Sequence, residues 1–155
     1  MVESIFTRLG VPPVDEAKLL CLGKELFDVP LAVKAIADRI PWKSVYEGAV
    51  VLRLGKIPTP GLRLLEELGR TASKKAWVTP KGEWLFICGR NVLPGNITKT
   101  AGDPKPSDAV VVLNRHDECI GYGELQEKQL TRWFDIGDFL RRERKTKALA
   151  AKFRE

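Results

Sequence analysis

The sequence predicts an α+β protein in two parts: a small mixed α/β half, then a β-rich half that forms a small barrel or sandwich and ends in a helix. Three observations predict it. In the first 73 residues, strand-like apolar runs alternate with helical stripes. From residue 75 to 133, short apolar runs recur at close spacing between turn signals. From Asp135 the apolar residues take a helical period.

In the first half, Lys18–Leu22 and Glu25–Val29 flank Gly23-Lys24, a hairpin signal. Pro30 suits the first turn of a helix, where its missing N–H costs nothing. That helix is expected to run to Ile40, with Val33, Ile36 and Ile40 facing inward, and to stop at Pro41. Val45–Leu54 reads as a strand and Lys56–Pro58 as a loop. Thr59-Pro60 reads as a second helix start, with Leu62, Leu65 and Leu68 inward and Gly69 as the stop. The polar stretch Arg70–Lys74 places a boundary near residue 73.

The second half reads as strands at Lys75–Thr79 and Glu83–Ile87, joined by a turn at Pro80-Lys81-Gly82. A short helical turn follows at Arg90–Pro94, closed by Gly95, and then strands at Ile97–Thr100, Asp108–Leu113, Glu118–Leu125 and Leu130–Trp133. Asp135 reads as the N-cap of the last helix and Asp138 as its capping-box partner, with Ile136, Phe139 and Leu140 docking the helix.

Composition narrows the function. The 155 residues are 44% hydrophobic and 30% charged, ordinary values for a globular chain. No apolar run approaches the roughly 20 residues that cross a bilayer, and the first ten residues lack a basic start before an apolar core. A soluble, cytoplasmic protein is expected, with no membrane partner. The net charge is +6. Residues 1–73 hold 10 basic and 9 acidic side chains, and residues 74–139 hold 9 of each. Residues 140–155 hold 7 basic and 2 acidic. The excess is therefore a basic terminus, suited either to a polyanion or to a solvated helix end.

Candidate catalytic groups are sparse. Cys21, Cys88 and Cys119 are far apart, His116 is the only histidine, and no Cys-x-x-Cys occurs, so neither metal nor cofactor is expected. The cysteines are expected as buried, reduced thiols. The first half has no histidine and no phosphate loop. Asp15-Glu16 and Glu66-Glu67 are adjacent pairs, which do not converge on one substrate. His116-Asp117-Glu118 sits where a hairpin turn favours such residues anyway. An enzyme is not expected.

The segment from Phe86 to Ile97 carries Cys88-Gly89, then Arg90–Pro94, then Gly95-Asn96, and a later strand pair carries Gly121-Tyr122-Gly123. This order resembles a PUA domain, an RNA-binding pseudobarrel. WVTPKGEWLFICG, VVVLNRHDECIGYG and FDIGDFLRRE further resemble the Nip-seven family of large-ribosomal-subunit biogenesis proteins. The resemblance implies an α/β pre-PUA domain over 1–73 that binds protein, and a PUA domain with a basic C-terminal helix over 74–155 that binds RNA. It implies a non-catalytic, monomeric factor in large-subunit pre-rRNA processing or assembly. Its partners would be rRNA or pre-rRNA and other assembly factors, including exosome-linked ones. The alternative is an RNA-modifying enzyme, or an accessory subunit of one, using the PUA domain to hold substrate. Glu47–Arg53 departs from the Gly-Thr-Cys-Phe-Gly-Lys-Phe stretch of eukaryotic members, which points to an archaeal type.

The resemblance also supplies site residues. The family's RNA contacts precede the last helix, and Lys128 and Arg132 match them. Trp133 either stacks on a base or fills the core. Gly89, Arg90 and Gly95 would let the backbone approach a nucleotide. Gly121 and Gly123 suit barrel closure better. Apart from the resemblance, the basic tail residues Arg141, Arg142, Arg144 and Lys145 either extend the RNA surface or serve the negative end of the helix dipole.

Overall fold

The computed structural model describes residues 18–42, 48–54 and 59–141. The chain divides into two compact units, parting between Thr71 and Ala72.

Among the described residues, the first unit is a four-stranded antiparallel sheet with two helices. Strands β1 (Leu19–Leu22) and β2 (Glu25–Asp28) pair as a hairpin, and Gly23 takes the left-handed turn conformation at φ +62°. Strand β3 (Ala49–Arg53) pairs with β2, and β4 (Thr59–Pro60) pairs with β3. Residues 43–47 and 55–58, which include the start of the expected third strand and the Lys56–Pro58 loop, lie outside the described residues.

Both helices differ from the sequence reading. Helix α1 (Leu31–Ala37) has Pro30 as its N-cap and ends at Ala37, short of Ile40. None of its residues is buried, and Val33, Ile36 and Ile40 are exposed rather than inward. Helix α2 (Leu62–Thr71) is the one that packs on β3. Thr59 and Pro60 do not start it. They pair with Arg53 and Leu52 at the sheet edge, where a residue without an N–H is tolerated. Starting at Leu62 turns the apolar stripe, so Leu64, Leu65 and Leu68 are buried and Leu62 is exposed. The helix runs through Gly69 to Thr71.

The second unit is a five-stranded mixed sheet. Its strands are β5 (Lys75–Val78), β6 (Ile97–Ala101), β7 (Ala109–Leu113), β8 (Cys119–Leu125) and β9 (Leu130–Asp135). Their spatial order is β6-β5-β7-β8-β9. Only β5 and β7 run parallel; the other neighbours are antiparallel. All five residues of β7 are buried, as a central strand covered on both faces requires. Ala76, Val78, Phe86, Val92, Val110, Val112, Ile120 and Leu130 form the core, with Ile136 packed against it.

The segment expected as a second strand is helix α3 (Pro80–Ile87). Thr79 caps it: its hydroxyl accepts from the Gly82 N–H at 3.0 Å, and Pro80 occupies the first turn. Four consecutive apolar residues do not distinguish strand from helix, and the cap decides. The helix ends in a Schellman motif. Gly89, at φ +85°, donates to the Phe86 carbonyl at 2.9 Å, and Arg90 donates to the Leu85 carbonyl at 3.0 Å. The chain then extends. Val92 exchanges backbone bonds of 3.0 and 2.7 Å with Leu130, and a single 3-10 turn follows at Pro94–Asn96. Gly95 therefore lies inside that turn, and Arg90–Leu93 is not helical.

After β9 the chain is helical over 137–141, where this part of the description ends. Asp135 closes β9 opposite Gly121 and does not cap the helix. Ile136 and Phe139 dock the segment, Phe139 edge-on to Phe134 at 5.9 Å. Leu140 is exposed.

Gly121 lets β9 approach β8 closely. Its φ is +147°, and a Cβ there would stand 2.1 Å from the Phe134 carbonyl oxygen and 2.8 Å from the buried Phe86 ring. Gly121→Ala should lower stability by about 3 kcal/mol from strain and overpacking. Urea denaturation followed by tryptophan fluorescence checks this, and a midpoint equal to that of the parent would remove the constraint.

Candidate nucleic-acid interface

The glycine turn after α3 and the end of β9 are joined by one carboxylate. Asp135 is fully buried. Its Oδ2 accepts from Arg132 Nη1 at 2.9 Å and from Arg141 Nη2 at 2.7 Å. The same two guanidiniums reach the turn: Arg132 Nε donates to the Gly89 carbonyl at 3.1 Å, and Arg141 Nη1 to the Ile87 carbonyl at 2.7 Å. The Asn91 side chain completes the junction by accepting the Arg132 N–H at 3.1 Å. Asp135 and, at 3.9 Å, Asp138 hold the Arg141 guanidinium protonated beyond its already basic range.

A charge this deep is tolerated only when paired. Arg132 and Arg141, both suggested by the sequence as RNA contacts, therefore each turn two guanidinium hydrogen bonds inward. Their side chains still keep 29% and 36% exposure, so both remain partly open to solvent.

The other suggested residues are dispersed. Lys128 is exposed in the turn between β8 and β9, and Arg90 is exposed one residue past Gly89. Gly95 is exposed, with nothing within 4 Å of a Cβ built on it. Trp133 is half-buried in β9 and has a partner. Arg142, Arg144 and Lys145 lie outside the described residues.

The acid–base candidates are accounted for by a turn. The Asn114 side-chain Oδ1 accepts from the N–H groups of His116 and Glu118, at 2.9 and 3.1 Å. Glu118 accepts from the Asn114 amide at 2.7 Å, and Asp117 accepts from the Trp77 indole at 2.7 Å. Lys99 covers the Trp77 ring at 4.1 Å. Among the described residues no group of three or more His, Cys, Asp or Glu is placed to hold a metal.

The thiols depart from the sequence expectation of burial. Cys21 and Cys88 are exposed. Cys119 is the enclosed one, and burial pushes its thiol up to about 11. The sequence reading also passed over Trp84. With 81–88 taken as turn and strand, its exposed place on α3 between Lys81 and Cys88 could not be seen; the Thr79-Pro80 cap was the available signal.

The second unit combines a five-stranded mixed sheet, a capped helix and a glycine turn locked to the last strand, a PUA-like fold. The fold resembles that of a conserved PUA domain protein from Thermoplasma acidophilum, with a TM-score of 0.50 and 18% identity, covering 63% of this chain and 72% of that one. Residues 74–144 match the model of the UPF0113 PUA domain. The chain is homologous to the 60S ribosome subunit biogenesis protein NIP7 of Saccharomyces cerevisiae, at 31% identity over 58% of this chain and 59% of that protein. It also matches a UPF0113 protein of Archaeoglobus fulgidus, at 33% identity over 35% of this chain and 30% of that protein. The matches thus span about three fifths and one third of those relatives' lengths.

Two outcomes test this junction. Arg132→Ala with Arg141→Ala strands a buried carboxylate, and the pair should cost about 3–5 kcal/mol, well above either single change. Chemical denaturation of the four proteins of the cycle reads it; additive, sub-kilocalorie losses would contradict it. Native protein treated with iodoacetamide at pH 8 should take label at Cys21 and Cys88 well before Cys119, read by peptide mass spectrometry.

Proposed function

We propose that this protein is a non-catalytic, RNA-binding factor in the assembly of the large ribosomal subunit. The observation that carries the reading is the UPF0113 PUA domain at residues 74–144 together with the similarity to a 60S biogenesis protein. The second unit would hold pre-rRNA or rRNA. The first unit, near neutral over residues 1–73, would meet other assembly factors.

The arrangement of charges supports a division of labour within the RNA surface. Arg132 and Arg141 hold the Gly89 turn in place, and each, still partly open to solvent, can meet a phosphate. Lys128 and Arg90 are exposed, and Arg142, Arg144 and Lys145 follow Arg141 directly in sequence. Of these, Lys128 and Arg90 are the described groups open to a nucleic-acid backbone. Arg141 cannot be reversed without a stability cost, because a glutamate there would face the buried Asp135.

Each phosphate neutralised on a single strand adds about −0.7 to the slope of log affinity against log salt. With Lys128, Arg132 and part of the tail engaged, fluorescence anisotropy on single-stranded RNA should give a slope of about −2 to −4. Affinity that holds steady from 50 to about 300 mM salt would sink the reading.

A further inference from the structure

The four tryptophans of the chain meet different fates. Trp77 has its indole N–H bound to Asp117 and its ring covered by Lys99. Trp133 is half-buried and partnered. Trp42 belongs to the first unit. Trp84 sits on α3 of the second unit with 65% of its surface exposed.

The surroundings of Trp84 distinguish it from a stray apolar side chain. Lys81, Trp84 and Cys88 are three and four residues apart, so they share one face of the helix, and all three are exposed. Arg90 is exposed just beyond the Schellman turn that ends the same helix. The acid of this stretch, Glu83, accepts from the Asn114 amide at 3.3 Å on a different side of the helix. Every exposed charge from residue 80 to 95 is therefore positive, with an indole between the two. The helix is anchored by Phe86, which is fully buried, so the ring stands on a rigid support.

An exposed π-face with a cation on either side of it along the chain suits a single-stranded nucleic acid, with a base on the ring and phosphates on the cations. Arg132 and Arg141 fix the carbonyls of Ile87 and Gly89, and so fix the end of α3 against β9. We propose that Trp84 is a stacking platform for one unpaired RNA base, with Lys81 and Arg90 taking the flanking phosphates. This deepens the RNA-binding reading and rests on it. A protein partner is disfavoured because the face pairs one aromatic ring with two like charges and offers no continuous apolar stripe.

The test uses the full chain and three probes: twelve-nucleotide oligoadenylate, twelve-nucleotide oligouridylate, and an oligoadenylate with abasic sites at its central positions. Trp84→Ala should weaken oligoadenylate binding about tenfold. Trp84→Phe should keep most of the affinity, and Trp84→Leu should behave like the alanine variant. The parent should prefer oligoadenylate to oligouridylate, and Trp84→Ala should narrow that preference. The abasic probe should bind the parent weakly and lose nothing further with Trp84→Ala. Lys81→Ala and Arg90→Ala should each reduce the salt slope. Parental affinity in Trp84→Ala, while the parent itself binds with the expected salt dependence, overturns the platform and leaves the RNA reading standing. Rescue by Trp84→Leu would mark the face as an apolar protein contact and also overturn it. A parent that binds none of the probes removes the RNA reading and the platform with it.

Discussion

The second unit depends on a carboxylate that no solvent reaches. Asp135 ends the last strand, and its Oδ2 takes one N–H from a residue three positions back and another from a residue six positions on. Through those two arginines it holds the carbonyls of Ile87 and Gly89, more than forty residues earlier. Strand end, closing helix and glycine turn are thereby one rigid junction. Deep ion pairs are expensive to desolvate and weak as a source of net stability; their better-attested use is to exclude alternative arrangements. Here the arrangement selected is the position of the turn on which the proposed RNA surface stands. The backbone agrees with it: Gly137 passes so close to the Ile87 carbonyl that a Cβ would stand 2.0 Å from the oxygen.

Much of the architecture was legible in the sequence because it is written in local, periodic signals. The Gly23-Lys24 hairpin, the continuous apolar run of β7 and the turn at Asn114–Asp117 all occur where pattern and turn chemistry place them. The two Thr-Pro pairs show the limit. Thr59-Pro60 and Thr79-Pro80 are chemically identical starts, yet the first is a two-residue edge strand and the second a helix cap. The difference is tertiary: an unpaired edge of β3 stands beside Thr59, and nothing in residues 59–60 records it. The same cause moves α2 to begin at Leu62 and rotates its apolar face.

The site was legible in part, and for a related reason. Sequence pattern located the glycine turn and the basic residues around β9, but an arginine's partner is not written beside it. Arg132 finds Asp135 within three residues; Arg141 finds Ile87 across the domain. Burial of single thiols was equally invisible. Cys88 follows the fully buried Phe86 and the partly buried Ile87 at the helix end, yet it falls on the solvent side of α3. Trp84 became visible only once the segment was a helix, since the face it shares with Lys81 exists at a period of 3.6 and not at a period of two.

The placement of β5 has a consequence for how the chain reaches this state. Strands β7, β8 and β9 are successive antiparallel neighbours joined by short turns, so they can meet early after modest loop closure. Strand β5 must instead enter beside β7 in parallel, with α3 and β6 folded into the intervening thirty residues. Its pairing is the least local in the sheet and carries the largest chain-entropy cost, which makes it the natural rate-limiting contact. Helix α3, capped by its own Thr79 and stopped by its own Gly89, needs no distant partner to define its ends. It can serve as a preformed spacer that brings β5 and β6 to the waiting three-stranded meander.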